Sequence, residues 1–102
     1  MNKFTIEILS PAFRDMERIA HFHYKMVGSQ SASKITDKLL ETIQILEDQP
    51  LAGSEHPDPL LNRQGFRKLV CDDYICIYKL IEKTVYIYRI IHGATDYPRS
   101  FI

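Results

Sequence analysis

Seven side chains in the second half of the chain could handle a phosphate or move a proton: Asp58, Arg67, Lys68, Arg89, His92, Tyr97 and Arg99. Cutting RNA through its own 2′-hydroxyl needs a base, an acid for the leaving oxygen, and fixed cations for the charge that builds on phosphorus. The residue types suit that work, but their spacing does not favour one pocket. Neighbours on a regular strand point to opposite faces, so Arg67 is separated from Lys68. The same alternation separates Arg89 from His92 unless a bulge or the strand end intervenes. Arg89 interrupts an apolar strand, so it either pairs with a carboxylate such as Asp96 or offers its charge to a partner. His92, at a strand end before Gly93, reads as a structural residue or a chemical one.

Other constellations are weaker. His21 and His23 lie two apart on a predicted helix and do not share a face, so they make no metal pair. His56 stands alone in a loop. Tyr74, Tyr78, Tyr86 and Tyr88, at alternate positions, fit either cross-strand packing or a base-stacking platform. Cys71 and Cys76 read as buried reduced thiols, because no CxxC or paired histidine accompanies them. Neither a phosphate-cradling glycine loop, a Ser-His-Asp order nor a metal motif is present, so no cofactor and no metal are expected.

The elements that must position these residues follow from pattern. A chain of 102 residues with 45% hydrophobic side chains has the size of one domain with one core, spanning 1–102. Phe4 to Ile8 alternates apolar and polar residues as a strand does. Ser10-Pro11 predicts a helix start, with the serine as N-cap. Phe13, Met16, Ala20, Tyr24 and Val27 give that helix an apolar stripe, and Gly28 closes it. Ala32, Ile35, Leu39, Ile43 and Leu46 form the stripe of a second helix running to about Asp48, so the two make an αα-hairpin. Residues 51–65 read as a long irregular connection. Phe66 to Cys71, Tyr74 to Leu80 and Val85 to His92 then form an antiparallel meander. The order β-α-α-β-β-β predicts an α+β fold with helices on one face of a mainly antiparallel sheet.

Charge excludes a long-range field toward nucleic acid or membranes. Thirteen basic side chains balance thirteen acidic ones, and the two halves differ by only one charge in each direction. The N-terminus does not read as a signal peptide, and no stretch is apolar enough to span a bilayer, so a cytoplasmic address is expected.

Five phrases, in order, carry a resemblance: Ile8-Leu9-Ser10-Pro11-Ala12, Gln49-Pro50-Leu51-Ala52-Gly53, Phe66-Arg67-Lys68-Leu69-Val70, Asp73-Tyr74-Ile75-Cys76-Ile77-Tyr78, and Tyr88 to Tyr97 with its Arg-Ile-Ile-His-Gly run. Together they resemble the RelE/ParE toxin superfamily of type II toxin–antitoxin systems. The resemblance implies a toxin that inhibits growth, is held in a hetero-oligomer by a cognate antitoxin, and serves plasmid stabilization. RelE-like and YoeB-like members look like ribosome-dependent endoribonucleases acting on mRNA, whereas ParE-like members bind DNA gyrase. Fold alone cannot choose between them. In the nuclease branches an arginine commonly occupies the position of Ile75, and a neutral branched side chain cannot hold phosphate charge. The ParE-like branch is therefore favoured, with Arg67, Arg89, Asp96, Tyr97 and Arg99 as target-binding residues. The nuclease alternative would use Arg67, Lys68, His92 and Tyr97 with the ribosome and mRNA as partners, Asp58 imitating the YoeB-like loop carboxylate. A relative that is inactive and keeps only antitoxin binding is the third alternative.

Phe22 lies off the main line of the first helix, and Leu40 and Ile45 off that of the second. These three predict one exposed apolar groove beside the hairpin where an amphipathic antitoxin helix could dock.

Overall fold

The computed structural model describes residues 3–98. Arg99, expected in the target-binding set, and the terminal Phe101 and Ile102 lie outside the described residues. Strand β1 (Thr5–Ile8) leads into helix α1 (Ser10–Met26), which turns at Gly28 into α2 (Ser29–Gln44) and a 3₁₀ turn, Ile45–Glu47. A two-residue strand β2 (Ser54–Glu55) and a short helix α3 (Pro59–Arg63) precede β3 (Phe66–Cys71), β4 (Tyr74–Ile81) and β5 (Thr84–His92). The five strands form one sheet in the order β1-β5-β4-β3-β2. All pairings are antiparallel except β1 with β5, which is parallel.

The expected α+β order β-α-α-β-β-β is the observed one, with β2 and α3 added inside the connection read as irregular. Local chemistry explains both. Asp58 caps α3, its Oδ1 accepting from the N–H groups of Leu60 and Leu61 at 2.9 and 3.2 Å, with Pro59 in the first turn. Ser54 and Glu55 pair with Lys68 and Arg67 along the edge of β3.

Two details of α1 differ from the sequence reading. Ser10 is already helical and Leu9 occupies the cap position, with no side-chain cap. The buried face is also rotated: Ala12, Asp15, Met16 and Ile19 are buried, whereas Phe13, Tyr24 and Val27 are 55%, 59% and 76% exposed. Apolar residues at spacings of three and four describe two overlapping stripes on this helix, and contact with the sheet selected the narrower one. In α2, Ile35, Leu39 and Ile43 are buried, and Leu46 follows in the 3₁₀ turn. At the hairpin, the N–H groups of Val27 and Gly28 both donate to the His23 carbonyl, and Gly28 takes φ 139°, a left-handed value that glycine reaches without steric cost.

Two clusters hold the sheet. The larger one packs α1, α2 and the 3₁₀ turn against the helix side of the sheet, around Leu39, Leu46, Tyr78, Val85 and Ile87. The smaller one lies on the other side, where Leu61 of α3 meets Phe66, Ile77 and Ile91, with Tyr88 and Tyr97 packed at its margin. Cys71 and Cys76 are buried free thiols.

Candidate functional site

The β5 register shifts opposite Ile77 and Tyr78, which pair with Arg89 and Ile87 and leave Tyr88 as an extra residue. Such a bulge breaks strict alternation and strengthens local twist. It falls just beyond the end of β1, whose last pairing is Ile8 with Ile87. Past that point no strand among the described residues covers the outer edge of β5, and Asp15 of α1 serves it instead. Asp15 Oδ2 accepts from the Ile90 N–H at 2.9 Å. The Arg89 guanidinium binds the same carboxylate in a fork, Nε to Oδ2 at 2.7 Å and Nη2 to Oδ1 at 2.9 Å. Arg18, largely exposed, donates to Oδ1 from the solvent side. Burial alone would raise the Asp15 pKa; the hydrogen bonds from Arg89, Ile90 and Arg18 outweigh it and hold the carboxyl below its ordinary value of 3.8.

Above this pair lies a cleft of about 420 Å³ between α1 and the end of β5, lined by Phe22, Tyr74, Arg89, His92 and Thr95 among others. Arg89 and His92 thus share a cleft, as the sequence allowed only where a bulge or strand end intervenes. His92 is exposed, its Nδ1 accepting from the Ala94 N–H at 3.1 Å and its ring edge-on to Tyr74 at 5.6 Å. Tyr74 in turn contacts His23 Nε2 at 3.0 Å, and His23 Nδ1 lies 3.1 Å from Ser31 Oγ, so His23 ties α1, α2 and β4 together.

Tyr97 is elsewhere. Its ring packs at the margin of the smaller cluster and its hydroxyl meets Nε2 of His56. His56 does not stand alone, as the sequence suggested; it is buried at 4% exposure, and its Nδ1 accepts from the Asp58 N–H at 3.1 Å. Burial lowers its proton affinity, the Asp58 carboxylate opposes this, and the Lys68 ammonium adds to the lowering. His56, Asp58, Lys68 and Tyr97 therefore gather near one end of the smaller cluster. Sequence reasoning missed His56 because its partner is 41 residues away. The capping Asp58 two residues later was the one local hint.

Arg67 is engaged in the fold. Its Nη2 donates to the carbonyls of Gly53 and Leu51, at 2.6 and 3.3 Å. Tyr78, fully buried, secures the same loop by donating to the Pro50 carbonyl and accepting from the Gly53 N–H. The tyrosines do not form one platform: Tyr74 and Tyr78 belong to the helix-side core and Tyr88 packs on the opposite cluster. Asp96 is exposed in the segment after β5.

The single groove expected beside the hairpin is divided. Phe22 lines the cleft at β5, whereas Leu40 lines shallow depressions with Phe13 and Met16 and with Ile6 and Ile8. Ile45 is exposed and lines neither. Among the described residues no cluster of three metal-binding side chains occurs, and no helix is long and apolar enough to cross a membrane.

The molecule is thus a helical hairpin on one face of a small, mostly antiparallel sheet, with a cleft at the sheet edge. The chain is similar in structure to the chromosomal ParDE toxin–antitoxin system of P. aeruginosa, with TM-score 0.75 and 18% identity over 88% of this chain and 96% of that one. It is also similar to the RelBE2 toxin–antitoxin complex of Mycobacterium tuberculosis, with TM-score 0.66 and 22% identity over 93% and 97% of the two chains. No curated protein sequence matches it. The family model described as ParE toxin of type II toxin-antitoxin system, parDE, matches residues 6–97, and the chain belongs to that family.

Proposed function

We propose that this chain is a ParE-like toxin that inhibits DNA gyrase by binding it, without catalysis, and that a cognate antitoxin neutralises it. One observation carries the reading. Of the four residues a nuclease would need, Lys68 and Tyr97 share one end of the smaller cluster, but Arg67 and His92 do not join them. Arg67 holds loop carbonyls, His92 lies in the cleft beside α1, and Tyr97 packs at the margin of the opposite cluster. Ile75 adds no charge at the position where the nuclease branches commonly carry arginine. A phosphorane in this setting would lack the fixed cations that such chemistry requires.

On this reading the target surface includes Asp96 and Tyr97 of the segment after β5, with Arg99 beyond the described residues. Arg67 and Arg89 contribute by shaping the loop and the β5 edge beneath it. The antitoxin covers the exposed apolar residues of the hairpin, Phe22 and Leu40, with Ile45 at the far end of α2. Toxin and antitoxin then form a cytoplasmic hetero-oligomer, with residues 1–102 as a single toxin domain.

The alternative, a ribosome-dependent mRNA endoribonuclease, is favoured by one observation: the gathering of His56, Asp58, Lys68 and Tyr97. Expression of the chain without antitoxin separates the two. Gyrase inhibition changes plasmid supercoiling and induces the SOS response, while nuclease action leaves codon-phased cuts in ribosome-bound mRNA. Such cuts, lost in a Tyr97→Phe variant, would replace the binding reading with the enzymatic one.

A further inference from the structure

We infer that His56 is the positioning residue for Tyr97, and that its neutral imidazole pins the segment after β5 to the loop before α3. The inference deepens the reading above, on which Tyr97 and its neighbours meet the target. It stands on hydrogen-bond geometry. A backbone amide can only donate, so the Asp58 N–H at 3.1 Å requires a lone pair on His56 Nδ1. The neutral ring then carries its proton on Nε2, the atom that meets the Tyr97 hydroxyl. Tyr97 accepts that proton's hydrogen bond while its ring packs beside the cluster of Leu61, Phe66, Ile77 and Ile91.

Among the described residues, two backbone hydrogen bonds hold this segment. Gly93 N–H donates to the Asp73 carbonyl at 2.7 Å and Thr95 N–H to the His92 carbonyl at 2.9 Å, both at its beginning. The backbone from Thr95 to Pro98 belongs to no helix or strand. Tyr97 is thus the anchor at its far end, and His56 decides where that anchor sits. The loop side is firm: Asn62 donates to the His56 carbonyl, and Asp58 is fixed as the cap of α3.

Protonation of His56 would place a second hydrogen on Nδ1, facing the Asp58 N–H. Two donors cannot share that contact, so the ring must move and its hold on Tyr97 fails. The groups facing the ring are the Asp58 carboxylate from the start of α3, the Lys68 ammonium from β3 and the Tyr97 hydroxyl. Burial and Lys68 lower the proton affinity of His56 and Asp58 partly restores it, leaving the folded pKa below 6.5. The Tyr97 hydroxyl is pushed above its ordinary value by burial first and by Asp58 second, so it keeps its own proton across the same range. A group whose folded pKa is lowered binds its proton more readily once released. The pin is therefore complete above pH 6.5 and is lost as pH falls through the lower folded value.

The test uses the free ¹⁵N-labelled chain, with no target present. Imidazole ¹H–¹⁵N correlation at about pH 8 should show His56 with a bare Nδ1 and a protonated Nε2. Heteronuclear NOE values for residues 93–97 should match the strands at about pH 8 and fall at about pH 5. His56→Asn keeps a short acceptor for the Asp58 N–H but lacks the distal donor, so the segment should be mobile at both pH values while amides of β3 to β5 stay unshifted. Tyr97→Phe keeps the ring's packing and should show the same loss, in milder form, should the asparagine variant fail to fold. A proton on Nδ1, or an ordered segment in both variants and in acid, overturns the inference. Because gyrase takes no part, either result leaves the supercoiling assay to decide the functional reading on its own.

Discussion

Arg89 on β5 and Asp15 on α1, 74 residues apart, form a forked ion pair with an Nε to Oδ2 distance of 2.7 Å, where the edge of the sheet loses its neighbouring strand. The same carboxylate satisfies the Ile90 N–H, so one side chain both neutralises the arginine and closes an otherwise open edge. The pair gives a structural role to a residue that the sequence offered for target binding.

Asp15→Asn should destabilise the fold by about 3 kcal/mol, because it removes the buried carboxylate shared by the Arg89 fork, the Ile90 N–H and Arg18. Arg18 cannot substitute, being a cation itself. Urea denaturation reads this directly. The sign with pH follows from the lowered folded pKa: the contribution is present above 3.8 and is lost as pH falls through the folded value. Wild type should therefore lose stability in acid more steeply than the asparagine variant, and parallel acid limbs would show that the carboxylate is not held ionised. Arg89→Ala should lower toxicity only together with the thermal midpoint.

Gly53→Ala should cost about 1–3 kcal/mol, the usual range for forcing an atom into a filled site. A Cβ there would lie 2.5 Å from the Lys68 carbonyl oxygen and 2.8 Å from Tyr78 Cε1. The β3 backbone cannot retreat without breaking its pairing with β4. A thermal midpoint equal to wild type would mean that the loop after the hairpin moves freely, contrary to the contacts of Arg67 and Tyr78.

Cys76 should resist alkylation in the folded protein. Burial first, and neighbouring Cys71 second, push its thiol up to about 12, so at about pH 8 the reactive thiolate is roughly one part in ten thousand. Unfolding in urea should raise its labelling rate at least a hundredfold. Equal rates in the two states would place Cys76 at the surface.

Phe22→Asp and Leu40→Asp should each weaken antitoxin binding by about tenfold or more, equivalent to about 1.4 kcal/mol, without lowering the thermal midpoint of the free toxin. Both side chains are exposed, at 58% and 43%, so a charge is tolerated until a partner covers it. Titration calorimetry separates their contributions, since they lie in different depressions. Full affinity in both variants would place the antitoxin on another surface.

Local pattern was enough for much of this molecule. Alternation marked β1, richness in Ile, Val and Tyr marked the three long strands with Asp72-Asp73 and Glu82-Lys83 at their turns, and the spacing from Ile35 to Leu46 marked the buried face of α2. These features depend on neighbours within a few residues, where side-chain period and backbone preference act directly. The order of elements then left few topologies, and the RelE/ParE resemblance followed from phrases at the first strand-to-helix junction, after the hairpin and along the later strands.

Contacts across long separations were decided by the tertiary structure alone. Helix α1 carries enough apolar residues for two stripes, and the one that turned inward brought Asp15 with it, because the β5 edge presents a cation and an unpaired N–H that only a carboxylate satisfies together. His56 and Tyr97 likewise gain meaning from a meeting that no local period encodes. Burial supplies the physical reason in both cases. A polar group withdrawn from water must find its partner wherever the chain has placed one, and that place is fixed by packing of whole elements, not by spacing along the sequence.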